Sequence, residues 1–193
     1  MSYTKIRNKY KGIGFVETLL KLGFDLKPEP WSDLVDHSCH QLNIQLPEGV
    51  HGYLIKILKQ SMISHDHLNQ SLGVDFLSAL QEESFQVLKN ISGSAILMAG
   101  IFSDTVSQGP MCPIDYHVRL GAQGFYWIKQ CSNLEDAVLC GVLSTHTMAM
   151  VDVLMNMPVH NGSVQRIERQ QALRLWGVHR SQFALRYLDE AGA

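Results

Sequence analysis

Apolar positions recur at helical spacing along most of the chain, and helix punctuation divides it into elements. Between 12 and 24, Phe15, Val16, Leu19 and Leu22 share one face, and the stretch from Gly23 to Pro30 ends that element. Ser32 suits the N-cap of a second helix to about Asn43, with Leu34, Val35 and Leu42 pointing inward. Pro47 and Glu48 suit the first turn of a third helix, whose core face is Val50, Leu54, Ile57 and Leu58. The polar run Ser64 to Ser71 reads as a loop.

From Leu72 to Leu88 the positions Phe76, Leu77, Leu80, Val87 and Leu88 predict one amphipathic helix with Glu82 and Glu83 outside. Ile91 to Phe102 is almost entirely apolar or small, which predicts burial. Gly93, Ser94 and Gly100 weaken an isolated helix there, so their presence implies close backbone approach to a neighbour. After a turn at Gln108-Gly109-Pro110, Pro113 begins a helix with Ile114, Val118, Gly121, Phe125 and Ile128 on one face, where Gly121 and Gly124 permit tight packing.

Ser132-Asn133-Leu134-Glu135 is a capping box, in which Ser132 and Glu135 reciprocally satisfy backbone donors. It launches the most apolar stretch of the chain, Ala137 to Val159, where Asp152 is the only charge. That stretch predicts a central helix near 134–157, wrapped by its neighbours. A membrane-spanning reading places Asp152, His146 and Asn156 in hydrocarbon, at a cost of a few kcal/mol for the charge alone, and no membrane span is expected. Pro158 and Gly162 end the central helix. Ser163 caps the last one, anchored by Val164, Ile167, Trp176, Phe183 and Leu188, with Gly177 as a place to bend or split it. No β-hairpin or βαβ alternation interrupts this pattern. The fold expected is all-α, a single domain over 1–193 of about seven or eight helices.

Composition supports one sizeable core. With 46% hydrophobic and 18% charged residues the chain has enough apolar material to fold without metals or disulfides. Cys39, Cys112, Cys131 and Cys140 form no CxxC pair, and the opening residues are polar and basic with no secretory apolar core, which favours reduced thiols and a cytoplasmic location. The net charge of −2 is unevenly laid out. Residues 3–27 carry six Lys/Arg against Glu17 and Asp25, and residues 163–188 carry five Arg against Glu168. Between them, residues 28–162 hold five basic and thirteen acidic residues. Terminal helices lying across an acidic body account for this layout most simply. The alternative is a shared basic face, but Arg166, Arg169, Arg174, Arg180 and Arg186 spread around their helix and accompany no DNA-reading motif, so nucleic acid is not the expected partner.

Four groups of residues are candidates for chemistry. Asp33, Asp36, His37 and His40 fall at i, i+3, i+4 and i+7, on one helix face, where two carboxylates and two imidazoles suit a divalent metal. His65 and His67 flank Asp66 in the predicted loop and complete that set if the loop folds back. The competing reading is a solvated face opposite Leu34, Val35 and Leu42. Glu48-Gly49-Val50-His51 is a single Glu-x-x-His spacing, short of the repeated motif of carboxylate-bridged di-iron bundles. His146, between Thr145 and Thr147 in the most apolar helix, is a candidate axial ligand for haem, against the plainer role of a hydrogen-bonded core histidine. Cys112, at the mouth of a helix with Asp115 and His117 close in sequence, is a candidate nucleophile, since a helix N-terminus favours the thiolate.

Leu88-Lys89-Asn90-Ile91, the run Gly93 to Phe102, and then Asp115, Tyr116, Gly121 and Tyr126 carry a pattern that resembles a group of bacterial proteins of unknown function. The shared features are a glycine-bearing apolar helix ending in Gly-x-Phe, and a Tyr and a Gly on the next helix. Tyr53-Leu54 extends the likeness upstream, whereas Asp115-Tyr116-His117 stands where the group has paired aromatic residues. The resemblance implies a bacterial, soluble, mostly helical protein and brings no activity.

The expectation is therefore an interaction or accessory protein, acting as a homo-oligomer such as a homodimer. The methionines, Met148, Met150, Met155 and Met157 among them, supply adaptable apolar surface for such contacts. The alternative is a metal-dependent helical oxidoreductase built on the Asp/His cluster, followed by a haem-binding bundle around His146.

Overall fold

A computed structural model describes residues 31–63, 72–103, 113–131, 136–160 and 167–192. Among the described residues there are nine helices and no strand: α1 (Trp31–Gln41), α2 (Glu48–Ile63), α3 (Leu72–Gln81), α4 (Phe85–Gly100), α5 (Ile114–Cys131), α6 (Asp136–Thr145), α7 (Thr147–His160), α8 (Arg169–His179) and α9 (Gln182–Gly192). The expected helix at 12–24, the 64–71 loop, the turn at 108–110, the capping box at 132–135 and the Ser163 cap lie outside the described residues.

The expected core faces of α2 and α5 are the observed ones. Val50, Leu54, Ile57 and Leu58 are buried on α2, and Ile114, Val118, Phe125 and Ile128 on α5. α4 and α5 make the broadest helix contact of the fold. Small residues allow it: a Cβ on Gly124 would collide with Ser92 Oγ, and one on Gly121 would come within 3.1 Å of Ile96 and 3.3 Å of the Ser92 carbonyl. Ser92 is itself fixed, donating to the Leu88 carbonyl at 2.8 Å.

α7 is the centre of the bundle, packed by α1, α4, α5, α6 and α9. Its side chains from Met150 to Met157 are all buried, including Asp152 and Asn156. Met150, Met155 and Met157 are thus core residues, and the adaptable surface expected of them is spent inside. Each fully buried side chain of this size contributes about 1.5–3 kcal/mol. Two polar side chains tie α7 to its neighbours. Asn156 Nδ2 donates to Gln41 Oε1 of α1 at 2.8 Å. Asp152 receives the N-terminus of α9: Ser181 Oγ donates to its Oδ1 at 2.5 Å and the Gln182 N–H to its Oδ2 at 2.7 Å. Ser181 Oγ in turn accepts the Ala184 N–H at 3.0 Å, so one hydroxyl caps the helix and hands the carboxylate to it.

Three expected helices are broken. The single helix over 72–88 is two, because Glu83 adopts a left-handed conformation (φ 52°) and the Ser84 N–H returns to the Ala79 carbonyl at 2.9 Å, a Schellman ending. Leu77 and Val87, expected on a core face, are 61% and 42% exposed in consequence. The terminal helix divides at Arg180 (φ 58°) and Ser181, not at Gly177, whose Cβ position meets nothing. The central helix divides at His146, where α6 and α7 meet at 66°. The cause is competition for carbonyls. Thr145 Oγ1 and His146 Nδ1 both donate to the Val142 carbonyl at 2.9 Å, and Thr147 Oγ1 to that of Leu143 at 3.0 Å. Among the described residues no single helix is long and apolar enough to cross a membrane.

Candidate functional site

Between α2 and α4 lies a cleft of about 400 Å³, closed at one end by the start of α6. Residues one helical turn apart face it from each wall, Tyr53, Lys56 and Ile57 on α2, and Lys89 and Gly93 on α4, with Asp136 at the α6 end. Tyr53 Oη donates to the Lys89 carbonyl at 3.4 Å, and one turn later Ile57 lies within 3.4 Å of the Cβ position of Gly93. Gly93 is required here, since a Cβ would stand 2.9 Å from Tyr53 Oη.

The floor is rigid. Tyr53 packs edge-on against Phe125 of α5, with ring centroids 5.5 Å apart and planes at 87°. Burial pushes its phenol well above the usual tyrosine range, so it stays neutral and acts as a hydrogen-bonding wall. Lys89 Nζ donates to Asp136 Oδ2 at 2.6 Å, with the lysine side chain 13% exposed and the aspartate 53%. Hydrogen bonding to Lys89 and its charge, with Lys56 behind, hold the Asp136 carboxyl below the usual carboxylate range. Farther along α4, Gln86 Nε2 donates to Asn90 Oδ1 at 3.1 Å. Amides, two ammonium groups and one carboxylate line this end, a set that orients and neutralises a bound molecule.

The candidates from sequence fall elsewhere. Asp33, Asp36, His37 and His40 all sit on the exposed face of α1. Asp36 Oδ1 lies 2.8 Å from His51 Nε2, joining α1 to α2. Among the described residues no three His, Cys, Asp or Glu side chains converge as a metal site would require. His65, His67 and Cys112 lie outside the described residues. His146 stands at the α6–α7 break, half-buried, with Nδ1 committed to its own turn. His117 is buried, its Nδ1 3.3 Å from the Pro113 carbonyl, and burial lowers its basicity. Asp115 instead gathers partners from α8 and from its own helix. His179 Nε2 contacts its Oδ1, while Arg174 Nη2 and Arg119 Nε approach Oδ2 at 3.4 and 3.3 Å. This pins α8 to α5, one of the arginine-to-body pairs that the charge layout leads one to expect. Arg186 pairs within its own helix with Glu190 at 2.8 Å, and Arg180 lies 5.5 Å from the Trp176 ring centre.

The cleft itself was invisible to periodicity, because its polar lining reads as the solvated face of two separate helices. The available signal was Gly93, a small residue on a helix otherwise built for burial. No family model, curated protein or solved structure matches the chain.

Proposed function

We propose that the chain is a non-catalytic accessory protein of the bacterial cytoplasm, and that it holds a small polar ligand in the α2–α4 cleft. The cleft carries this reading: its volume of about 400 Å³ falls in the range of small-molecule sites, its lining is largely polar, and its charged groups, Lys56, Lys89 and Asp136, gather at one end. Tyr53, Lys89, Asn90, Gly93 and Ser94, all residues of the pattern that resembles a group of bacterial proteins, face it. Cys39, Cys131 and Cys140 are free thiols, which supports a reducing compartment. Burial and then the charge of Asp36 push the Cys39 thiol up to about 11, so it is unreactive.

Native mass spectrometry of freshly purified, untagged protein tests the reading. The expected result is a small non-covalent adduct, lost on unfolding and lost from a folded Asn90→Trp variant, whose ring fills the cleft from an exposed position of α4. An adduct that survives in that variant, or a stoichiometric metal ion in its place, sinks the proposal.

Self-association is the second reading, favoured by α3. Val74 and Leu77, one turn apart, are each 61% exposed, an apolar pair on the outer face of a helix whose Leu72, Phe76 and Ala79 are buried. Light scattering should then show a dimer that Leu77→Glu converts to monomer. A monomeric wild type removes this reading and leaves the cleft untouched.

A further inference from the structure

We infer that the cleft ligand is an organic anion, its carboxylate or phosphate head seated between Lys56 and Lys89 and its uncharged body lying along Ile57 and Leu97. The inference rests on the cleft reading and adds the chemistry of what binds there.

Charge is the first argument. Two ammonium groups face the charged end against the single carboxylate of Asp136. Within the ion pair, the Lys89 side chain is 13% exposed and Asp136 53%, so the two charges offset one another across the mouth of the cleft. The excess positive charge is the formal single charge of Lys56, an exposed residue beside that pair. An enclosed ammonium is costly unless its donors are met, and the bond to Asp136 Oδ2 engages one of the three that Lys89 carries.

Donor geometry is the second argument. Gln86 Nε2 donates to Asn90 Oδ1 at 3.1 Å, which fixes which end of the Asn90 amide is oxygen and leaves its NH2 group as a donor at the same end. An anionic head takes bonds from ammonium and amide groups alike, and charge-assisted bonds of this kind are about twice as strong as neutral ones.

The opposite end differs. Gly93 faces both Tyr53 and Ile57, and the cleft continues along α4 to Leu97, about two turns from Lys89. This part carries no charge: Ile57 and Leu97, 6% and 7% exposed, line it together with Gln60, Ser61 and Ser94. A molecule with a charge at one end and an apolar or flat body matches both halves.

Phenylacetate, phenylacetamide and phenethylamine share one shape and differ in charge, and their binding to the full chain can be followed by protein-observed NMR. Phenylacetate should bind about tenfold more tightly than the amide, with the amine weaker still, and should shift the backbone signals of Lys56, Lys89 and Gly93. Lys56→Gln, an exposed position that leaves the fold intact, should remove most of that preference, and Lys89→Gln should remove the rest. Equal affinity for acid and amide, with the cleft signals shifting for both, overturns the anion inference while the cleft reading stands. No shift of cleft signals by any of the three overturns the two together.

Discussion

Asp152 and Ser181 stand 29 residues apart and share a 2.5 Å hydrogen bond inside the core. Burial pushes the Asp152 carboxyl from its ordinary 3.8 up to about 7, against the opposing pull of the bonds from Ser181, Gln182 and Phe183. The folded state therefore keeps a proton that the unfolded chain releases near pH 4. This contribution to stability is complete below the unfolded value and is lost as the pH rises through about 7. Urea unfolding between pH 4 and 8 should show wild-type stability falling across that window and an Asp152→Asn variant lacking the fall. Parallel curves for the two proteins would contradict it. Asp152→Ala strands the donors of Ser181 and Gln182, and should cost about 3 kcal/mol at pH 5.

The α4–α5 contact predicts a coupled pair. Gly124→Ala gains about 1 kcal/mol of helix propensity yet drives a methyl group into Ser92 Oγ, so a net loss of about 1–3 kcal/mol is expected. Adding Ser92→Gly relieves the collision, and the double variant should be more stable than the two single losses add up to. Additive losses in a denaturant double-mutant cycle would place the strain elsewhere.

Glu83 ends α3 in a left-handed conformation that a side chain disfavours by about 1 kcal/mol. Glu83→Gly keeps the same turn, and should raise stability by up to about 1 kcal/mol in thermal unfolding. A destabilised variant would show that the Glu83 side chain contributes something beyond its backbone.

Asp115→Ala removes the common partner of Arg119, Arg174 and His179. Arg174 and Arg119 are more than half exposed, which limits the loss to about 1–2 kcal/mol. Hydrogen exchange should quicken in α8 while α2 keeps its protection. Uniform acceleration throughout the bundle would mean that α8 does not open by itself.

Helix faces were legible wherever a run kept one period from cap to cap. Val50, Leu54, Ile57 and Leu58 needed only their spacing, and Gly121 with Gly124 announced close packing because no other demand explains two glycines on a buried face. Helix ends were less legible. The chain turns at Asn43, Glu83 and Arg180 without a glycine: backbone bonds to Cys39, Ala79 and Leu175 hold a left-handed conformation that Asn tolerates and that Glu and Arg disfavour. The break at His146 is not legible from periodicity, because it depends on which carbonyls the side chains of Thr145, His146 and Thr147 occupy. The cleft required knowing which two helices run side by side, a relation that no single period contains. Lys56 and Lys89 each look like ordinary surface lysines until α2 and α4 are set against one another.

The bend at His146 reaches farther than its three residues. α6 is ten residues long, a lever of about 15 Å, and Asp136 sits at its tip. Straightening the 66° bend would sweep that tip through roughly its own length and carry Asp136 away from Lys89. The hydroxyls of Thr145 and Thr147, bonded to carbonyls of their own turn, thereby act as the hinge pins that bring a carboxylate to Lys89.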